Sequence, residues 1–148
     1  METDRLIYGD LVDKVSPRHY KNHPSGVEPI RVTEHLTFCL GNVIKYLCRR
    51  NLKGNPLVDI GKARWYLQRE MQRCNTWAVT PPTLPVEVAA DFDKIISSET
   101  PRISKVLSFI SRACSTGDPS YFSYALEVLD TVLTDPGADI TGDSHAQD

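Results

Sequence analysis

Asn42, Lys45 and Arg49 have the types and spacing to hold an anion. At 100° per residue they fall within about 60° of each other on one helix face. An arginine grips phosphate through two parallel N–H groups, and a lysine adds a movable point charge. An asparagine amide reads a base edge or a sugar hydroxyl. Tyr46 and Trp65 offer flat surfaces against which a base can stack. Lys45 and Arg49 lie four apart and repel on an isolated helix, so an anion or neighbouring carboxylates must sit near them. A second reading stands open: a solvated charged face in which Asp59 and Glu70 pair with the cations.

Other groups carry less. His19 and His23 are four apart, a zinc-compatible spacing on a helix. Pro17 and Pro24 argue against a helix there, and the spacing supplies no third ligand, so no metal site is assigned. His19 reads instead as a phosphate or base contact, or as a plain loop histidine. His35 reads as a packing or capping residue. Gly26 marks a turn, and Gly41 implies a close approach within a helix. Cys39, Cys48, Cys74 and Cys114 form no CxxC pair and each sits in an apolar stretch, which suits reduced packing residues. The chain has no GxxxxGK[ST] loop, no GxGxxG, no HExxH and no GxSxG. It also lacks the paired ExxE clusters with which helical pyrophosphohydrolases hold magnesium, so magnesium is not indicated.

The elements that must position these groups are helices. Leu36, Leu40, Val43, Ile44 and Leu47 share one side of a helix over about 36–50. Lys53-Gly54-Asn55-Pro56 then makes a turn, with Gly54 suited to a left-handed position. A second helix is expected over about 59–74, with Asp59 as its cap or first-turn acid. There Ile60, Ala63, Leu67, Met71 and Cys74 form an apolar stripe beside Asp59, Lys62, Tyr66, Glu70 and Arg73. The short connection makes an antiparallel hairpin. Its polar stripes would converge at one rim, with Lys53, Asp59, Lys62 and Tyr66 opposite Asn42, Lys45 and Arg49.

The expected architecture is all-α: a small one-domain bundle with this central hairpin and three C-terminal helices. Residues 1–27 read as an irregular segment, 28–74 as the hairpin region, 85–133 as the three helices and 134–148 as a disordered tail. Apolar stripes at Phe92 to Ile96, Ile103 to Ile110 and Tyr121 to Val132 read as packing, with Thr100-Pro101 and Asp118-Pro119 as helix starts.

Composition narrows the function. The 148 residues carry a net charge of −2, unevenly spread. Residues 1–80 hold 13 Lys and Arg against 8 Asp and Glu, whereas no Lys or Arg follows Arg112. That asymmetry favours a small anionic ligand near the front and disfavours long nucleic acid, which calls for a stronger positive field. No apolar run is long enough for a membrane, and the charged N-terminus lacks a signal-peptide core, so a cytoplasmic protein is expected.

Ser16 to Lys21, Gly26-Val27-Glu28, Leu40-Gly41-Asn42-Val43-Ile44-Lys45-Tyr46, Arg49, Lys53-Gly54 and Asp59 to Leu67 resemble a family of small bacteriophage proteins, labelled either a domain of unknown function or a phage nucleotide kinase. The shared pattern is a His-Tyr element, a Gly-Asn-x-x-Lys-Tyr-x-x-Arg helix and an Asp-x-x-Lys-Ala-x-x-Tyr-Leu helix, over about residues 16–74. The resemblance implies phosphoryl transfer, with ATP as donor, to a deoxynucleoside monophosphate in an infected bacterial host. Such transfer needs positioning and positive charge more than covalent chemistry. Lys45, Arg49 and Lys53 would neutralise phosphate. His19, Tyr20, Asn42, Tyr46, Lys62 and Tyr66 would contact the nucleotide, and Asp59 would position an acceptor oxygen. Two nucleotides are a large load for one hairpin, so a homo-oligomer with a shared site is expected. Two alternatives use no catalysis: sequestration of nucleotides or nucleotide-derived immune signals, and inhibition of a host protein through the acidic C-terminal region.

Overall fold

The computed structural model describes residues 23–52 and 54–141. His19, Tyr20 and Lys53, all expected at the site, lie outside the described residues. Among the described residues there are six α-helices and no strand, as the periodicity predicts. They are α1 (Ile30–Thr33), α2 (Phe38–Arg49), α3 (Pro56–Trp77), α4 (Val86–Ser98), α5 (Pro101–Thr116) and α6 (Tyr121–Thr134). A 3-10 turn, Gly137–Asp139, follows. None of these helices is long and apolar enough to cross a membrane.

Two helical hairpins form the body: α2 packs on α3, α5 packs on α6, and α3 joins them through α6. Helix α4 lies against α5, and α1 bridges α2 to α4. The stripes foreseen from sequence become one core. Leu40, Val43, Ile44 and Leu47 of α2 meet Ile60, Ala63 and Leu67 of α3. Phe92, Ile95, Ile103, Leu107, Ile110, Phe122 and Leu129 complete it, all fully buried. Each such side chain contributes about 1.5–3 kcal/mol by leaving water.

Helix ends follow local chemistry. The Thr37 hydroxyl accepts from the Leu40 N–H at 3.1 Å and so caps α2. Helix α3 begins before the expected boundary at 59, because Asn55 caps it and Pro56 starts it. The Asn55 side-chain oxygen accepts from the N–H groups of Leu57 (3.0 Å) and Val58 (3.4 Å). Pro56, expected as part of the turn, supplies the φ of a first helical residue. Asp59 is thereby a first-turn acid and not the cap. Helix α3 also runs past 74, to Trp77, where Ala78 turns left-handed. His35 is exposed and caps nothing; Thr37 holds that role. Gly41 serves the approach of α1, since a Cβ there would lie 3.4 Å from the Thr33 carbonyl oxygen.

The expectation of a disordered segment from 134 onward does not hold as far as Thr141. Asp139 is buried, its backbone carbonyl accepts from Arg50 Nε at 2.9 Å, and its carboxylate pairs with Arg102. The Thr141 N–H donates to Asn51 Oδ1 at 3.0 Å. Composition marked this stretch as polar, but Asp139 and Thr141 find partners in Arg50 and Asn51, just past α2, and in Arg102 of α5.

Candidate anion-binding face of the α2–α3 hairpin

The hairpin gathers Asn42, Lys45, Tyr46 and Arg49 of α2 with Asp59, Lys62 and Tyr66 of α3. Tyr46 and Tyr66 stack across it, with ring centroids 6.0 Å apart and planes 14° apart. Three cations surround the Tyr46 ring: Lys45 Nζ at 4.8 Å, Arg49 Cζ at 5.2 Å and Lys62 Nζ at 5.2 Å from its centroid. The negative face of the π system offsets part of their mutual repulsion. Phe38 and Trp65 meet Tyr66 edge-on at 5.9 and 5.0 Å and remain 75% and 58% exposed. The result is a flat aromatic patch with positive charge over one ring.

The carboxylates are arranged differently. Asp59 is fully buried, and both of its oxygens accept from Arg49 Nε at 3.2 Å. That pair fixes the arginine across the hairpin. Gly54, at φ +73°, lets the chain turn beside it; a Cβ there would lie 3.7 Å from Arg49 Nη2. Glu70 is also fully buried, holding the other end of the hairpin through the Thr37 hydroxyl at 2.9 Å and Arg73 Nη2 at 3.0 Å. Neither acid reaches Lys45 or Lys62. Among the described residues no carboxylate forms an ion pair with either lysine.

Of the pairings expected for a solvated charged face, Asp59 with Arg49 is present, while Glu70 pairs with Arg73 instead. Asp59 is an anchor for Arg49, with no free oxygen aimed outward. Asn42 donates its amide N–H to the Phe38 carbonyl of its own helix at 2.8 Å, which leaves its side-chain oxygen for other work.

Sequence spacing gave no sign of a second cluster. His23, Cys48 and Glu99 come from three distant segments and place one donor atom each within 4.8 Å of one another. His23 Nε2 lies 2.7 Å from Glu99 Oε1, and Arg50 Nη1 donates to Glu99 Oε2 at 2.7 Å. Burial raises the Glu99 pKa, but the bonds from His23 and Arg50 outweigh it and hold the carboxyl below its ordinary value. Cys48 is driven the other way: burial, then the charge of Glu99, pushes its thiol far up.

Residues 14–68 match DUF3310, a protein family of unknown function. No curated protein matches the chain, and no solved structure does. The DUF3310 segment takes in α1, α2 and most of α3, and with them every member of the Tyr46 patch. Helices α4, α5 and α6 lie beyond it.

Proposed function

We propose that the α2–α3 face binds a nucleotide, with phosphate among Lys45, Arg49 and Lys62 and the base against the exposed aromatic patch. One observation carries this reading: two lysines without an ion-pair partner among the described residues crowd the same tyrosine ring as Arg49. A phosphate monoester is close to a dianion at neutral pH and relieves that repulsion. An exposed tryptophan beside the cations suits stacking. The activity we infer, following the resemblance to phage nucleotide kinases, is phosphoryl transfer from ATP to a deoxynucleoside monophosphate. Arg49, held by Asp59, would meet the transferred group, and a shared site in an oligomer would supply room for two nucleotides.

A second reading has its own support. Asp59 is buried and already engaged by Arg49, so this face offers no evident base. Sequestration of a nucleotide or a nucleotide-derived signal needs none.

Incubation of the purified protein with ATP and a panel of monophosphates separates the two. Diphosphate product supports the kinase. Binding without any product supports sequestration. Absence of binding to every nucleotide, measured through tryptophan fluorescence and thermal shift, overturns both.

A further inference from the structure

His23 and Cys48 are buried, the Glu99 side chain is 5% exposed, the three come from different elements, and their donor atoms converge. His23 sits in the turn ahead of α1, Cys48 in the last turns of α2, and Glu99 just past α4. The groups around them orient the donors inward. His23 Nδ1 accepts from the Ser25 N–H at 3.2 Å and lies 2.8 Å from the Ser25 hydroxyl, so the ring presents Nε2 to the cluster. Arg50 Nη1 occupies Glu99 Oε2, so that carboxylate presents Oε1. Metal ligands carry such outer hydrogen-bond partners, which fix ring orientation and carboxylate direction.

We propose that His23, Cys48 and Glu99 form a buried site for a divalent transition-metal ion of the zinc class. One nitrogen, one sulfur and one oxygen suit a borderline-soft ion, and calcium or magnesium would take oxygen alone. On binding, the Cys48 S–H bond breaks, a sulfur–metal bond forms, and the proton leaves to solvent. The hydrogen bond between His23 and Glu99 gives way to one coordination bond from each: the Nε2 proton leaves to solvent, while Nδ1 takes one up and donates it to the Ser25 hydroxyl. Thiolate and carboxylate together offset the two charges of the ion. Arg50, already beside Glu99, adds a positive charge to the cluster, so the site is weaker than an all-cysteine structural centre. Because the thiol must give up its proton and the imidazole must be uncharged to bind, uptake strengthens as pH rises. The bound ion ties the N-terminal turn to the ends of α2 and α4, so its role is structural and independent of nucleotide.

The test uses the full, untagged chain, stripped with chelator and titrated with cobalt(II) and then zinc. The expected result is one equivalent bound, a thiolate-to-cobalt charge-transfer band, displacement by zinc and a higher melting temperature with zinc. Cys48→Ser should abolish the band, and Glu99→Gln should weaken binding about tenfold or more. A chain with Cys39, Cys74 and Cys114 replaced by serine should keep the band, provided its circular dichroism matches the parent. Absence of the band in the parent chain overturns the proposal. So does a band that survives in Cys48→Ser.

Discussion

Arg49 and Asp59 face each other across the α2–α3 hairpin, the carboxylate wholly buried and the guanidinium partly open to solvent. One ion pair therefore does two things: it fastens the turn between the helices, and it fixes the direction in which a cation meets the surface. Removing the carboxylate takes away the buried half of that pair. Asp59→Asn should cost about 3 kcal/mol, the lower end for breaking a buried pair because Arg49 keeps some water. Urea denaturation checks this, and a loss under about 0.5 kcal/mol, the range of ordinary surface changes, would contradict the assigned role.

Lys45 and Lys62 stand apart from the core, so their removal separates function from stability. Lys45→Ala with Lys62→Ala should weaken nucleotide binding by about 1.5–3 kcal/mol per lost charged contact. The melting temperature should stay close to that of the parent. Unchanged affinity in a titration would move the ligand site away from this face.

Trp65 separates stacking from charge. Trp65→Ala should lower affinity for nucleoside phosphates by about 1–3 kcal/mol and leave inorganic phosphate binding as it was. Equal losses for both ligands would assign Trp65 to the fold instead.

The Glu99 carboxyl gives a pH dependence. Its folded-state pKa lies below the ordinary value, so the stability it contributes is present above the unfolded pKa of about 4.3 and fades as pH falls through the lower folded value. Urea midpoints measured in chelator should fall through that acid window, and Glu99→Gln should flatten that part of the profile. Identical profiles for parent and variant would refute the linkage.

Gly54 holds φ +73°, a left-handed conformation in which a Cβ is strained. Gly54→Ala should cost about 1–2 kcal/mol, read by thermal denaturation. A neutral effect would mean that the turn relaxes to another shape.

Much of the fold was legible because period and punctuation agree. The Leu40 to Leu47 stripe says which way α2 faces, Gly54 takes the left-handed position in the turn, and Thr100-Pro101 starts α5. The start of α3 was missed because a proline within a turn and a proline that opens a helix look alike in sequence, and only the Asn55 cap distinguishes the two. At the candidate site, spacing identified which residues share a rim but not how charges pair. Asp59 and Glu70 lie on one polar stripe, yet the hairpin buries both and leaves Lys62 between them exposed. The His23, Cys48 and Glu99 cluster was invisible, since its members meet only through tertiary packing and no local period joins them.

Helix α3 belongs to two neighbourhoods at once. Its first turns carry Asp59, Lys62 and Tyr66, while Arg64 pairs with Asp130 of α6 and Leu67 is sealed in the common core. The DUF3310 match stops at 68, within a helix that continues to Trp77. The family match and the folding unit therefore have different borders. A fragment cut at the end of the match would sever α3 and strip the cover from Ile60, Ala63 and Leu67. Transplanting this face into another protein means carrying α5 and α6 along with it.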